Sequence, residues 1–309
     1  MKDINSFLIS QVSKPLYNFI IKPNDLKISD KLIGFGGTSE VHLGFYKGLE
    51  VAIKKIKVKD LSDNFYKEYQ NEISAFTSIR HPNLIKFLGT MVSKEENESI
   101  LYIVTEYCKG GSLYDLLYKK KEINIPWNLK LKFLIDISKA MIFLHKNEPQ
   151  IIHHDLKSLN ILLPHPISDN KLNEHISLKI SDFGLSQIVS KETKNSYLKG
   201  IGSVQWMAPE TLQNNYMDDI NEKIDVYSFG IIIWEIYARV QPYKNMSISQ
   251  VVNYVCNENG RPNCDLIKME EMPKGLFELM KKCWDKEPNS RPDFSEILET
   301  LNDIRSLGE

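Results

Sequence analysis

The chain has 309 residues, 42% hydrophobic and 26% charged, enough for one large domain or two lobes with an ample core. Thirty-nine basic residues against forty acidic ones leave a net charge of −1, which gives no sequence-wide argument for nucleic acid or an anionic membrane as partner. No apolar run reaches about 18 residues and no signal-peptide core is visible; Cys108, Cys256, Cys264 and Cys283 are too scattered for a zinc site or disulfide scaffold, so buried free thiols in a cytoplasmic, reducing compartment are expected.

Residues 1 to about 24 show weak apolar patterning and no motif, and Lys22-Pro23-Asn24-Asp25 suggests a turn, so they read as an extension ahead of the domain. Strands are predicted at Leu26-Lys27-Ile28, at Lys31-Leu32-Ile33 and at Val51-Ala52-Ile53-Lys54-Lys55-Ile56, with Gly34-Phe35-Gly36-Gly37-Thr38-Ser39-Glu40-Val41 between them. Glycines with strands on both sides make a hairpin lid whose backbone can approach phosphates, whereas a dinucleotide loop would run from strand into helix. Strand alternation places Ala52 and Lys54 on one face, a small residue to roof a flat base and a cation to reach its phosphates.

Phe65, Tyr69, Ile73, Phe76 and Ile79 form a helical stripe over about 60–79, with Asp60, Ser62 or Asp63 available as cap. Glu72 lies on that inward face and needs a partner, for which Lys54 is the candidate; a place at the edge of the stripe, in water, is the alternative. Arg80-His81-Pro82-Asn83 ends the helix. Residues 84–92 and 100–106 read as strands, Lys109-Gly110-Gly111-Ser112 as a hinge, and 113–118 and 129–144 as helices, with Lys119-Lys120-Lys121 an exposed connection.

Ile151-Ile152 and Ile161-Leu162 are predicted strands bracketing His153-His154-Asp155-Leu156-Lys157-Ser158-Leu159-Asn160. An acid, a cation and an amide at these offsets suit phosphoryl transfer: Asp155 to take or orient a hydroxyl proton, Lys157 to neutralise the phosphoryl group, Asn160 to offer an oxygen to a metal ion. A strand running into Asp182-Phe183-Gly184 supplies Asp182 as a second magnesium ligand. Residues 186–202 lack periodicity and are rich in hydroxyls, as a mobile segment would be, and Ala208-Pro209-Glu210 closes them. Residues 225–236, apolar nearly all round, read as a buried central helix, and the remainder to Leu307 is helical pattern broken by prolines.

In order, the Gly-rich loop, Val-Ala-Ile-Lys, helix Glu, His-x-Asp-x-Lys-x-x-Asn, Asp-Phe-Gly and Ala-Pro-Glu resemble a eukaryotic protein kinase domain over residues 26 to about 305. The resemblance implies an α+β bilobal fold: a small antiparallel β-sheet N-lobe with one main helix (25–108) and a larger, mainly helical C-lobe (109–306), behind the extension 1–24. Asp155-Leu156-Lys157-Ser158, Gly202-Ser203, Cys283-Trp284 and Arg291-Pro292-Asp293-Phe294 are similar to the tyrosine-kinase-like group, of Raf and mixed-lineage type. In that group Lys157 and a hydroxyl at Ser203 accompany serine/threonine specificity.

By resemblance, ATP and Mg2+ are the cofactors and a protein with a Ser/Thr acceptor is the substrate. Asp155 is the catalytic base, Lys157 the phosphate stabiliser, and Asn160 and Asp182 the metal ligands. Lys54 holds the α- and β-phosphates and pairs with Glu72. Ile33, Gly34, Gly36, Gly37, Val41, Ala52 and Leu162 surround the nucleotide, Glu106 to Cys108 hold adenine through their backbone, and Thr105 is the gatekeeper before an inhibitor-accessible pocket. Phe87, Phe76, Phe183 and His153 form a hydrophobic spine anchored by Asp225, and Glu210 with Arg291 a buried ion pair. A regulatory partner or a dimer is left open.

Three departures stand out. His154 replaces the family's usual Arg, so the fork that would grip an activation-segment phosphate is missing, although Thr193, Ser196 and Tyr197 remain acceptors there. Ser39 replaces the third glycine of the lid, from which weaker ATP binding is expected. The interval from Asn160 to Asp182 exceeds the family's, the excess lying in 164–175, a surface extension or a partner-docking loop. A pseudokinase scaffold is the reading from another class, and tyrosine or dual specificity is a third.

Overall fold

The computed structural model describes residues 14–36, 39–58, 73, 77, 79–95, 98–167, 176–183, 203–213 and 221–307. They divide into two compact units, the first drawn from residues before 82 and from 85–108, the second from 82–84, 109–183 and 203–307.

The first unit is built on an antiparallel sheet of β1 (Leu26–Gly36), β2 (Ser39–Tyr46), β3 (Leu49–Val58), β4 (Phe87–Glu95) and β5 (Glu98–Glu106), in the order β1-β2-β3-β5-β4. Alternation decides which face is core: Val51 and Ile53 of β3 are buried with Met91, Ile100, Tyr102 and Val104, while Ala52 and Lys54 between them are only partly so. The two strands predicted at 26–28 and 31–33 are one, continuing through Gly34 with irregular register against β2. Gly44 of β2 is a packing requirement, because a Cβ there would lie 2.2 Å from Ile53 Cδ1 and 2.6 Å from the Lys27 carbonyl oxygen.

The end of the N-terminal extension packs on this sheet. After a 3₁₀ turn at Lys14–Phe19, Ile21 is buried and its N–H donates to the Thr90 carbonyl at 2.7 Å. Phe19 stacks on Phe87, and its carbonyl comes so near the backbone of Gly89 (φ 155°) that a Cβ there would sit 2.5 Å from it. The helix predicted over 60–79 lies largely outside the described residues, Glu72 and Phe76 included; Ile73 and Thr77 within it are helical, and Ile73 is buried.

The second unit is mainly helical, with α1 (Leu113–Tyr118), α2 (Trp127–His145), α3 (Pro209–Gln213), α4 (Lys223–Ala238), α5 (Ile248–Cys256), α6 (Lys274–Cys283) and α7 (Phe294–Leu307). β6 (Gly111–Ser112), β7 (Ile161–Leu163) and β8 (Lys179–Ile180) add a small antiparallel sheet. A capping box between Ser112 and Asp115 starts α1. At its far end the Arg239 guanidinium donates to the carbonyl of Leu116 in the last turn, and to those of Lys120 and Ile123 just beyond the helix. Every residue of α4 from Ile224 to Tyr237 is buried, as the all-round apolar pattern predicts.

Two predicted strands need correction. Ile151-Ile152 is no strand: the Ile151 N–H donates to the Leu144 carbonyl at the end of α2, and the N–H groups of His153 and His154 go to the Asp225 carboxylate. The strand predicted from Leu84 starts at Phe87, Leu84 making only an isolated bridge to Ile180. All four cysteines are free, but only Cys108 and Cys283 are buried. Among the described residues no helix is long and apolar enough to cross a membrane.

Candidate active site

In the first unit, sheet register gathers the expected nucleotide residues. Val41 pairs with Lys54, Ala52 with Thr105, and Gly34 with Val41, so directly opposed side chains put Val41, Ala52, Lys54 and Thr105 on one face of the sheet, opposite Val51 and Ile53. Gly36 pairs with Ser39 at the tip, where Gly37 lies outside the described residues. Ile33 is half-buried in β1. At the end of β5, the Glu106 N–H donates to the Lys86 carbonyl and its carboxylate accepts from the Lys86 N–H at 2.7 Å, which fixes the backbone entering Tyr107 and the buried Cys108.

In the second unit the polar loop after α2 is held from beneath by one carboxylate. Asp225, fully buried at the start of α4, accepts the His153 N–H at 2.8 Å, the His154 N–H at 3.0 Å and a contact from His145 Nε2 at 2.9 Å. Burial alone would push its carboxyl up; the hydrogen bond from His145, with the bond from the His153 N–H, holds it below the ordinary value. His154 takes a left-handed backbone (φ 63°), and burial pushes its imidazole below the ordinary range, so the ring is neutral at pH 7.

That anchor presents three groups together. Lys157 Nζ donates to Asp155 Oδ2 at 2.7 Å and to Ser203 Oγ at 2.6 Å, bridging the acid and a hydroxyl 46 residues further along. Asn160 Nδ2 donates to the Asp155 carbonyl at 2.8 Å and to Asp155 Oδ2 at 3.0 Å. With its NH₂ so committed, Asn160 presents its amide oxygen elsewhere. Ser181, whose N–H and hydroxyl both donate to the Asn160 carbonyl, precedes Asp182, again left-handed (φ 61°). An amide oxygen and a carboxylate are the hard ligands magnesium takes, and it normally relies on one or two carboxylates plus phosphates. Leu162 follows in β7, half-buried.

Of the expected spine, His153 and Phe183 are buried in this unit, Phe87 is half-buried in the first, and Phe76 is outside the described residues. The expected ion pair is present: Arg291 donates to Glu210 Oε1 at 2.5 Å and Oε2 at 2.9 Å. The same guanidinium reaches the carbonyls of Lys223, Asp285 and Lys286.

Sequence reasoning passed over Glu235. It is 0% exposed in α4 and accepts from Tyr118 Oη at 2.6 Å, Ser158 Oγ at 2.8 Å and Trp206 Nε1 at 2.6 Å. Burial pushes its carboxyl up to about 7, against the lowering effect of those three donors. An acid in a helix apolar on every side is a signal in itself, since it must find partners inside.

The chain matches the family described as protein tyrosine and serine/threonine kinase over residues 27–301. It is similar to a probable serine/threonine-protein kinase of Dictyostelium discoideum, 38% identical over 296 residues, which cover 96% of this chain and 30% of that one. The probable serine/threonine-protein kinases drkB and drkA of the same organism are 37% and 36% identical over 276 residues, covering 89% of this chain and 36% and 39% of theirs. The chain thus spans between 30% and 39% of the length of these relatives.

Proposed function

We infer that this chain, which belongs to the protein tyrosine and serine/threonine kinase family, transfers the γ-phosphoryl group of ATP to a serine or threonine hydroxyl of a protein. The observation that carries the reading is the Lys157 bridge: one ammonium on the acid that meets the acceptor and on the hydroxyl of Ser203, the pairing that goes with serine/threonine specificity in the group this sequence resembles. The names of the relatives point the same way and do not favour a pseudokinase. The tyrosine-kinase-like assignment, of Raf and mixed-lineage type, rests on the motifs quoted above.

ATP supplies the phosphoryl group, and magnesium, when bound, neutralises its β- and γ-phosphates. Asp155 orients the acceptor hydroxyl and takes its proton as the new oxygen–phosphorus bond forms and the bond to the leaving ADP oxygen breaks. Lys157 neutralises charge on the group in transit. Asn160 and Asp182 hold the metal through oxygen, and Lys54 of the sheet holds the α- and β-phosphates with Glu72 as its counter-ion. Gly34, Gly36, Gly37, Ile33, Val41, Ala52 and Leu162 line the nucleotide, and the backbone from Glu106 to Cys108 takes adenine behind Thr105. Residues 25–306 make up the domain in this reading.

The test is radiolabelled ATP transfer with magnesium, to the chain itself and to a generic basic protein, beside Asp155→Asn, followed by phosphoamino-acid analysis. Label on serine or threonine that Asp155→Asn abolishes is expected. Nucleotide binding without transfer by the unaltered chain would replace the reading with a scaffold, and label on tyrosine would overturn the specificity.

A further inference from the structure

We propose that Glu235 is a positioning residue for phosphoryl transfer: its buried carboxylate clamps the turn after Lys157 to the turn after Ser203 and thereby sets the Lys157 bridge. The inference rests on the catalytic reading of Asp155 and Lys157 given above.

The two segments that meet at the Lys157–Ser203 contact are joined a second time. Ser158, next to Lys157, donates to Glu235 Oε1, and Trp206, three residues after Ser203, donates through its indole N–H to Oε2. The Trp206 backbone N–H bonds the Ser203 carbonyl at 3.0 Å, and Ser228 of α4 donates to the Trp206 carbonyl at 2.8 Å, so the turn carrying the hydroxyl is fastened to the same helix twice. The result is a closed ring, Lys157 to Ser203 on one side and Ser158 through Glu235 to Trp206 on the other. Tyr118, at the end of α1, contributes the third donor and is the one ionisable group among Glu235's hydrogen-bond partners; burial keeps its hydroxyl protonated. None of the three side-chain donors to this carboxyl, Tyr118, Ser158 and Trp206, is a cation. An apolar side chain would fill this helix position with no desolvation penalty. What it could not do is accept from two loops at once and fix their separation, and a shift of about 1 Å there moves Lys157 relative to both Asp155 and Ser203, a displacement that can cost on the order of a hundredfold in rate.

The experiment compares the unaltered chain, Glu235→Gln and Trp206→Phe for kcat and KM of ATP, each across pH 6 to 8, at a temperature where thermal unfolding shows all three folded. Both variants should lose about tenfold or more in kcat with the KM for ATP within about twofold. The unaltered chain should show a kcat that falls as pH drops through about 7, where the carboxylate gains a proton, and Glu235→Gln should lack that limb. Merely loosening the fold would not remove a pH limb. Trp206→Phe, the gentler change, covers the case in which Glu235→Gln does not fold. A kcat within twofold in the folded variants, or an identical pH limb in Glu235→Gln, overturns the clamp while leaving the kinase reading intact. Absence of transfer by the unaltered chain overturns both.

Discussion

Replacing Arg291 by Met tests whether the second unit depends on the ion pair it shares with Glu210. The arginine is 2% exposed, stacks over Tyr227 at 5.2 Å and satisfies both Glu210 oxygens and three carbonyls. Methionine restores most of the volume and none of the donors. Leaving one partner of a buried pair uncompensated costs about 3–5 kcal/mol. Glu210 keeps 21% of its side-chain exposure, so water relieves part of that, and about 3 kcal/mol is the working figure. Against a total stability of about 5–15 kcal/mol the loss is large, and it corresponds to a fall in melting temperature of roughly 10 °C for a unit of this size. Thermal unfolding followed by far-ultraviolet circular dichroism measures it. Arg291→Lys, which keeps the charge but not the planar fork, should fall between. The double change Arg291→Met with Glu210→Leu should be less harmful than Arg291→Met alone, because it removes the stranded carboxylate. Arg291→Met within about 1 kcal/mol of the original, or a double variant worse than the sum of the singles, would refute the reasoning.

Three further outcomes follow from the geometry. Glu235 has a folded-state pKa of about 7 against an ordinary value of 4.5, so between those values the native state holds a proton that the unfolded chain has released. Stability should therefore decline by up to about 3 kcal/mol as pH rises through that window and be flat above it, and Glu235→Gln should abolish the decline in urea titrations at pH 5 and 7.5; an equal slope in both proteins would contradict this. Gly89→Ala should destabilise the first unit, on the order of 1–3 kcal/mol, because a Cβ there meets the Phe19 carbonyl; limited proteolysis releasing residues 1–21 early in the variant is the readout, and an unchanged cleavage pattern would count against the close approach. A neutral His154 does not supply the cation that the usual Arg would bring to an activation-segment phosphate, so phosphatase treatment should leave activity within about twofold, and its abolition would show another phosphate-binding group at work.

What the sequence made legible was what local chemistry decides. The 113–118 and 129–144 helices, the central helix and the strands at β3, β4 and β5 announce themselves in periodicity, because each buries one face, or in α4 every face, whereas β2 (Ser39–Tyr46) was not predicted as a strand. The nearness of Asp155, Lys157 and Asn160 was legible because they stand close together in one short loop, and the face Lys54 occupies because strand alternation fixes it. Ile151-Ile152 misled, being β-branched and apolar, because the Ile151 N–H is claimed by a helix end and the N–H groups of His153 and His154 by an aspartate about 70 residues away, which no local pattern records. His145 and Glu235 escaped for the same reason: their partners are distant in the chain, and only the fold brings them into reach. The expected partnership of Lys54 with Glu72 falls outside the described residues, as do Gly37, Phe76 and the activation-segment hydroxyls.

The segment from Phe19 to Ile21 also guards the sheet. β4 is the last strand in its order, with one row of backbone groups facing away from β5. The parallel bridge from Ile20 to Thr90, and the Ile21 N–H on the Thr90 carbonyl, occupy part of that row, and the bulge at Gly89 interrupts it further. An unguarded terminal strand is a template on which a second chain can add its own. A kinase domain trimmed to begin at residue 25 would keep every site residue proposed above and lose this cover, so its first failing would be self-association through β4 rather than loss of those groups.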